Sequence, residues 1–180
     1  MHDGYKIRIA SIEDSFEIAK VHVDCWRTTY KGIVPDEKLD GMSYEKSDLK
    51  WKETLKEIQD PFRCFLIAEK NGSAIGFCSG GKKRKNSKRT DGYDGEIKAI
   101  YILKEHQKKG IGKKFIALYE EIFRQNKIFS YIIWVLKDNE SKNFYKKLGG
   151  KLITTKTYEI GGKRLKGLCF GFKISNGEGQ

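Results

Sequence analysis

The sequence predicts an α/β domain, and three observations carry that expectation. Segments with strand-like apolar alternation interleave along the chain with segments of helical period. Two glycine-containing turns, Lys70-Asn71-Gly72-Ser73 and Gly161-Gly162, sit between strand-like runs and mark hairpins. A third junction, Gln107 to Lys114, carries a strand directly into an amphipathic helix.

In chain order, Tyr5 to Ile9 (YKIRI) reads as a strand running into Ser11-Ile12-Glu13-Asp14, a capping-box-like helix start. The helix extends from Ile12 to about Tyr30, where Lys31-Gly32 closes it. A second helix covers about Ser43 to Gln59, with Trp51, Leu55 and Ile58 on one face. The hairpin strands are Phe62 to Glu69 and Ala74 to Gly80. Gly95 to Leu103 (GEIKAIYIL) is the central strand. Ile111, Phe115, Leu118, Tyr119 and Ile122 then recur at i, i+4, i+7, i+8 and i+11, so a helix runs from the glycine turn to near Asn126. Tyr131 to Lys137 (YIIWVLK) is a strand, Ser141 opens a short helix, and Lys151 to Ile160 pairs with Lys163 to Ile174 in a final hairpin.

Composition narrows the class. A chain of 180 residues suits a single domain, 1–180 with its core at about 5–174. A 38% hydrophobic content with mean hydropathy −0.61 describes a soluble protein. No apolar run approaches the ~20 residues that span a bilayer, and Met1-His2-Asp3-Gly4 opens no signal peptide. We therefore expect no membrane partner and a cytoplasmic location. Cys25, Cys64, Cys78 and Cys169 lack Cys-x-x-Cys spacing and the histidines are scattered, so no metal site is expected. Gly81 to Asp94 carries six basic residues, Lys82, Lys83, Arg84, Lys85, Lys88 and Arg89, in a chain of net charge +12. That charge suits nucleic acid or the steering of a small anion; without a nucleic-acid-binding motif, a solvated loop that attracts an anionic ligand is favoured.

The junction at Gln107 to Lys114 (QKKGIGKK) is the strongest chemical signal. Gly110 and Gly112 allow a tight turn that leaves amides facing outward at a helix N-terminus, a setting for phosphate, and four lysines in these eight residues add positive charge. A single residue between the glycines, with no Ser or Thr after Lys113, excludes a Walker loop. Phe115 stands where a dinucleotide fingerprint needs its third glycine.

What remains, Gln-x-x-Gly-x-Gly, resembles the pyrophosphate-binding motif of the GNAT (GCN5-related N-acetyltransferase) family. The segment Asn139-Glu140-Ser141-Lys142-Asn143-Phe144-Tyr145 through Gly149 is similar to that family's Asn-x-Ala-x-x-Phe-Tyr-x-x-x-Gly, with Ser141 in the alanine position. The resemblance covers roughly Tyr5 to Ile174 and is strongest from Gly95 to Gly150. It implies the GNAT fold, a mixed and mostly antiparallel sheet flanked by helices and split where two strands diverge.

It also implies a function: transfer of acetyl from acetyl-CoA, with no metal, to a primary amine on a small molecule or a protein, by direct attack in a ternary complex. Gln107, Lys108, Lys109, Gly110, Ile111, Gly112, Lys113 and Lys114 would hold the pyrophosphate. Ile100 and Ile102 would line the pantetheine channel through their main chain, with the Ile102 N–H polarising the thioester carbonyl. Asn139 would bond the pantetheine or fix Tyr145. Tyr145 would protonate the departing thiolate, and Glu96 would act as general base, directly or through water. Two departures stand out. Lys104 replaces a frequent proline, and Gly150 replaces an aromatic, which is expected to loosen packing beside Tyr145.

The acceptor is the least legible part. Cys25 to Asp36 is similar to a GNAT sub-group that includes polyamine acetyltransferases. Trp26 and Tyr30 fit either a cleft wall or the core, and Asp36, with Glu37, would face a cationic amine. The chain is expected as a monomer or a homodimer. A non-catalytic CoA-binding or nucleic-acid-associated protein of the same fold stays open, and the joint presence of Glu96, Asn139 and Tyr145 favours the enzyme.

Overall fold

The computed structural model describes residues 4–57, 64–84 and 88–175. Strand β1 (Lys6–Ile9) is followed by helices α1 (Ser15–Thr29), α2 (Asp36–Asp40) and α3 (Tyr44–Lys56). The hairpin β2 (Phe65–Lys70) and β3 (Ser73–Lys82) leads to β4 (Gly95–Ile102), α4 (Ile111–Gln125), β5 (Ser130–Leu136) and α5 (Ser141–Lys147). The hairpin β6 (Lys151–Ile160) and β7 (Lys163–Lys173) ends the series. The expected helix end at Gln59 and strand start at Phe62 lie outside the described residues, as do Ile58 and Lys85. Sequence periodicity gives no sign of α2, because five residues make less than two turns.

The strands form one sheet in the order β1-β2-β3-β4-β5-β7-β6. Every pairing is antiparallel except β4 with β5, which is the mixed, mostly antiparallel sheet expected. Helices cover both faces. On one side Phe115, Tyr119 and Phe123 of α4 and Tyr145 of α5 pack on Leu66, Cys78, Ile97, Tyr131 and Phe170. On the other, Ile18, Val21 and Cys25 of α1 and Leu55 of α3 meet Phe65, Ile67 and Phe77. The i, i+3, i+7 spacing of the α1 residues gives that helix its buried stripe. Arg8 ties β1 to the helix entry, donating to both Asp14 oxygens at 2.7 Å and to Glu69.

Two irregularities in β4 create the opening that matters. Its register with β3 steps from Ser79↔Ala99 to Gly80↔Ile97, so Lys98 is an extra residue, a β-bulge. Its parallel pairing with β5 covers Gly95, Glu96 and Ile97 alone, although the strand continues to Ile102. Beyond the bulge, β4 and β5 part.

Gly150 does not loosen the packing as expected. A Cβ there would lie 2.6 Å from Phe172 Cζ, so a ring supplied by β7 occupies the space beside it. The Gly150 N–H donates to Tyr145 O at 3.0 Å, tying this turn to the last turn of α5.

Candidate active site

The gap between β4 and β5 opens into a cleft lined by Ile97 to Ile102, Ile133 to Val135, Gln107, Asn139, Tyr145 and, from α1, Cys25, Thr29 and Tyr30. Strand chemistry dictates what β4 offers it. The Leu103 N–H donates to Ile75 O at 3.0 Å, toward β3. Alternate residues of a strand point their amides to opposite sides. The main-chain groups of Ile100 and Ile102 therefore face the side that β5 has left. Gln107 confirms this geometry, since its Nε2 donates to Ile102 O at 2.9 Å. That bond also fastens the glycine loop to the end of β4.

The loop itself is shaped by two left-handed residues, Lys108 at φ 61° and Gly110 at φ 84°. Gly110 is the residue before α4, and the first helical bond runs from Lys114 N to Gly110 O at 3.0 Å. The amides of Ile111, Gly112 and Lys113 thus have no acceptor within the helix. They meet the positive end of the α4 dipole and the exposed side chains of Lys108, Lys109, Lys113 and Lys114. The two glycines do different jobs. Gly110 supplies the positive φ with open space around it, whereas a Cβ on Gly112 would sit 3.1 Å from Phe144 Cζ. Gly112 lets α4 approach α5.

At the other end, Asn139 Oδ1 accepts the Ser141 N–H at 2.8 Å, fixing the start of the helix that carries Tyr145. Tyr145 is buried but reaches the cleft. Burial first, then the neighbouring Cys78 and Tyr30, raises its phenol above the ordinary value, so it holds its proton at neutral pH. Tyr30 is likewise raised by burial, with hydrogen bonds from Asn139 and Tyr101 partly opposing the shift. Trp26 stands behind this wall. Its Nε1 donates to Tyr101 Oη at 3.0 Å, and its ring packs on Tyr30 at 4.8 Å. Cys25 also lines the cleft, but burial pushes its thiol up to about 12 and leaves it unreactive.

Two residues stand elsewhere than expected. Asp36 is exposed in the first turn of α2 and does not line the cleft. Glu96 is 1% exposed, and its carboxylate is held by Arg84: the backbone N–H at 3.2 Å, Nε at 3.1 Å and Nη2 all donate to it. It too is absent from the lining. Tyr101 and Trp134 line the cleft and Arg84 holds Glu96, and sequence reasoning missed all three. Tyr101 and Trp134 read as ordinary strand aromatics, and Arg84 read as one charge of a solvated loop.

Among the described residues, no helix is long and apolar enough to cross a membrane, and no group of three His, Cys, Asp or Glu side chains is placed to hold a metal ion.

Comparison with known proteins agrees with this fold. The PaiA N-acetyltransferase of Thermoplasma acidophilum, solved with coenzyme A, superposes with a TM-score of 0.70 at 23% identity, covering 94% of this chain and 99% of that one. YncA of Salmonella typhimurium, a putative acetyltransferase solved with acetyl-CoA, gives 0.68 at 20% identity over 98% of each chain. In sequence, YuaI of Bacillus subtilis (strain 168), an uncharacterized N-acetyltransferase, is 38% identical over 167 residues, 92% of this chain and 91% of its own. Residues 20–150 match the Acetyltransferase (GNAT) family, and the chain belongs to that family.

Proposed function

We propose that the protein transfers the acetyl group of acetyl-CoA to a primary amine by direct attack within a ternary complex. One observation carries this reading: β4 turns the main chain of Ile100 and Ile102, which β5 does not pair, into a cleft that runs from a lysine-rich helix N-terminus to a protonated tyrosine. The pyrophosphate would rest on the amides of residues 108–114, the pantetheine would pair with β4 as a substitute for β5, and Ile102 N–H would polarise the thioester carbonyl. Attack by the neutral amine forms the C–N bond. Collapse of the tetrahedral adduct breaks the C–S bond, and Tyr145 protonates the thiolate. Asn139 orients this step through α5.

Glu96 enters as a positioning residue, because both its oxygens are engaged by Arg84. The amine then arrives as its free base or loses its proton to water. Calorimetric titration with CoA, followed by thiol release from acetyl-CoA with an amine panel, tests the reading. Sub-millimolar CoA affinity with amine-dependent thiol release is expected. CoA binding without turnover of any amine would favour a non-catalytic CoA-binding protein.

A further inference from the structure

Against the cleft wall at Trp134 lies a cationic cluster that the reaction above does not use. Lys156 of β6 places its Nζ 4.3 Å from the centre of the Trp134 ring and 4.4 Å from that of Tyr158, a slot with aromatic faces on two sides. The two rings meet edge to face at 89°. The slot is built into the sheet: Lys156 pairs with Gly167, and a Cβ at Gly167 would collide with the Tyr158 ring. Trp134 forms part of the cleft wall itself.

Charge in this region is unbalanced. No carboxylate lies within ion-pair distance of Lys156 among the described residues. Arg84, its cationic neighbour, spends Nε and Nη2 on Glu96 while its side chain remains 55% exposed. Desolvation, and then Arg84, disfavour the Lys156 ammonium, and Glu96 offsets only part of that. An anion beside Lys156 would supply the missing counter-charge. Among the described residues the cleft lining holds no Asp or Glu. A polyamine finds no carboxylate there, and a molecule with an acidic group has Lys156 beside the Trp134 wall.

We propose that the acceptor is an amine that also bears a carboxylate, an amino acid or a close derivative, with Lys156 and Arg84 as the receptors for that carboxylate. The inference rests on the acetyl-transfer reading and names its substrate class. Lys156 is a binding residue here, so its loss raises KM and spares kcat.

The test uses matched pairs that differ only in the carboxylate: each of the common amino acids against the amine left by removing that group, with spermidine beside them. Two readouts are taken, thiol release from acetyl-CoA and calorimetric binding to the CoA-loaded protein. The carboxylate-bearing member of at least one pair is expected to win by tenfold or more in kcat/KM and in affinity. Lys156→Met should abolish that advantage, leaving the matched amine and CoA affinity unchanged, while Lys156→Arg, which keeps the cation, should retain it. Equal or better use of the carboxylate-free amines, or no carboxylate-dependent binding in any pair, overturns the proposal and leaves acetyl transfer standing. Failure to bind CoA overturns the reading beneath it.

Discussion

Arg84 holds Glu96 by its side-chain fork and by its own backbone N–H, so a carboxylate that is 1% exposed at the start of β4 is fully engaged. The pair is asymmetric, because the arginine side chain is 55% exposed. Removing the exposed cation strands a buried anion; neutralising the anion leaves a cation that water can reach. Arg84→Met should therefore cost about 3 kcal/mol, and Glu96→Gln closer to about 1 kcal/mol. Urea unfolding of both variants measures the difference, and equal costs would refute the asymmetry. In activity, Glu96→Gln should keep the wild-type rise between about pH 6 and pH 9, since the titrating group is the amine. A flattened rise would return Glu96 to the role of base.

That pair also shows where the sequence stops being informative. The strand, glycine turn and helix from Gly95 to Gln125 were legible because each has a local signature: alternation, Gly110 before the helix, and the Ile111–Phe115–Tyr119 stripe. Glu96 was not, because a polar residue at a strand start gives the same pattern whether exposed or buried. Its burial depends on β3 running on to Lys82 and bringing Arg84 alongside. The Lys156 slot was hidden for a related reason. Trp134, Lys156 and Tyr158 meet only through the registers of β5, β7 and β6, and pairing across three strands leaves no local trace. Gly112 carries a subtler lesson, since the motif is read for phosphate while its missing side chain makes room for Phe144.

His22 makes stability depend on pH. Its ring lies among Trp26, Trp51, Phe77 and Tyr101, and its Nδ1 is buried with no hydrogen-bond partner among the described residues. Desolvation, and then Lys50, lower it from 6.5 to about 4. The unfolded chain therefore takes up this proton first as pH falls. Its contribution to stability is complete above about 6.5 and drains away between there and about 4, a loss on the order of 3 kcal/mol. His22→Phe should flatten that part of the stability–pH curve in urea titrations at fixed ionic strength. An unchanged slope would show that other groups set the acid limb.

The two glycines of the cradle should respond differently to substitution. Gly110 sits at φ 84°, so Gly110→Ala forces a side chain into the left-handed region at about 1 kcal/mol. There is open space for the methyl, so the fold should hold. Gly112→Asp adds a negative charge at the helix N-terminus, where the phosphates would sit, and presses on the Phe144 ring. CoA affinity should fall at least tenfold, about 1.4 kcal/mol, by calorimetry on protein shown to be folded. Unchanged affinity for a folded Gly112→Asp protein would remove the pyrophosphate from this loop.

Tyr145 is the sharpest test of the chemistry. Its phenol is raised above the ordinary value by burial, so it stays protonated throughout the range in which amines become nucleophilic. Tyr145→Phe keeps the ring that packs near Phe144 and Phe170, with centroids 5.4 and 6.3 Å away, and deletes only the hydroxyl. Stability and CoA affinity should therefore hold while kcat drops by roughly 10² or more, the range for loss of a general acid. The two possible origins of a smaller effect separate in a single-turnover experiment. If acetyl transfer measured before product release slows while steady-state kcat does not, the hydroxyl still acts and release limits turnover. If both keep their wild-type rates, Tyr145 serves only to pack α5 against the sheet, and the thiolate leaves by taking its proton from water in the open end of the cleft.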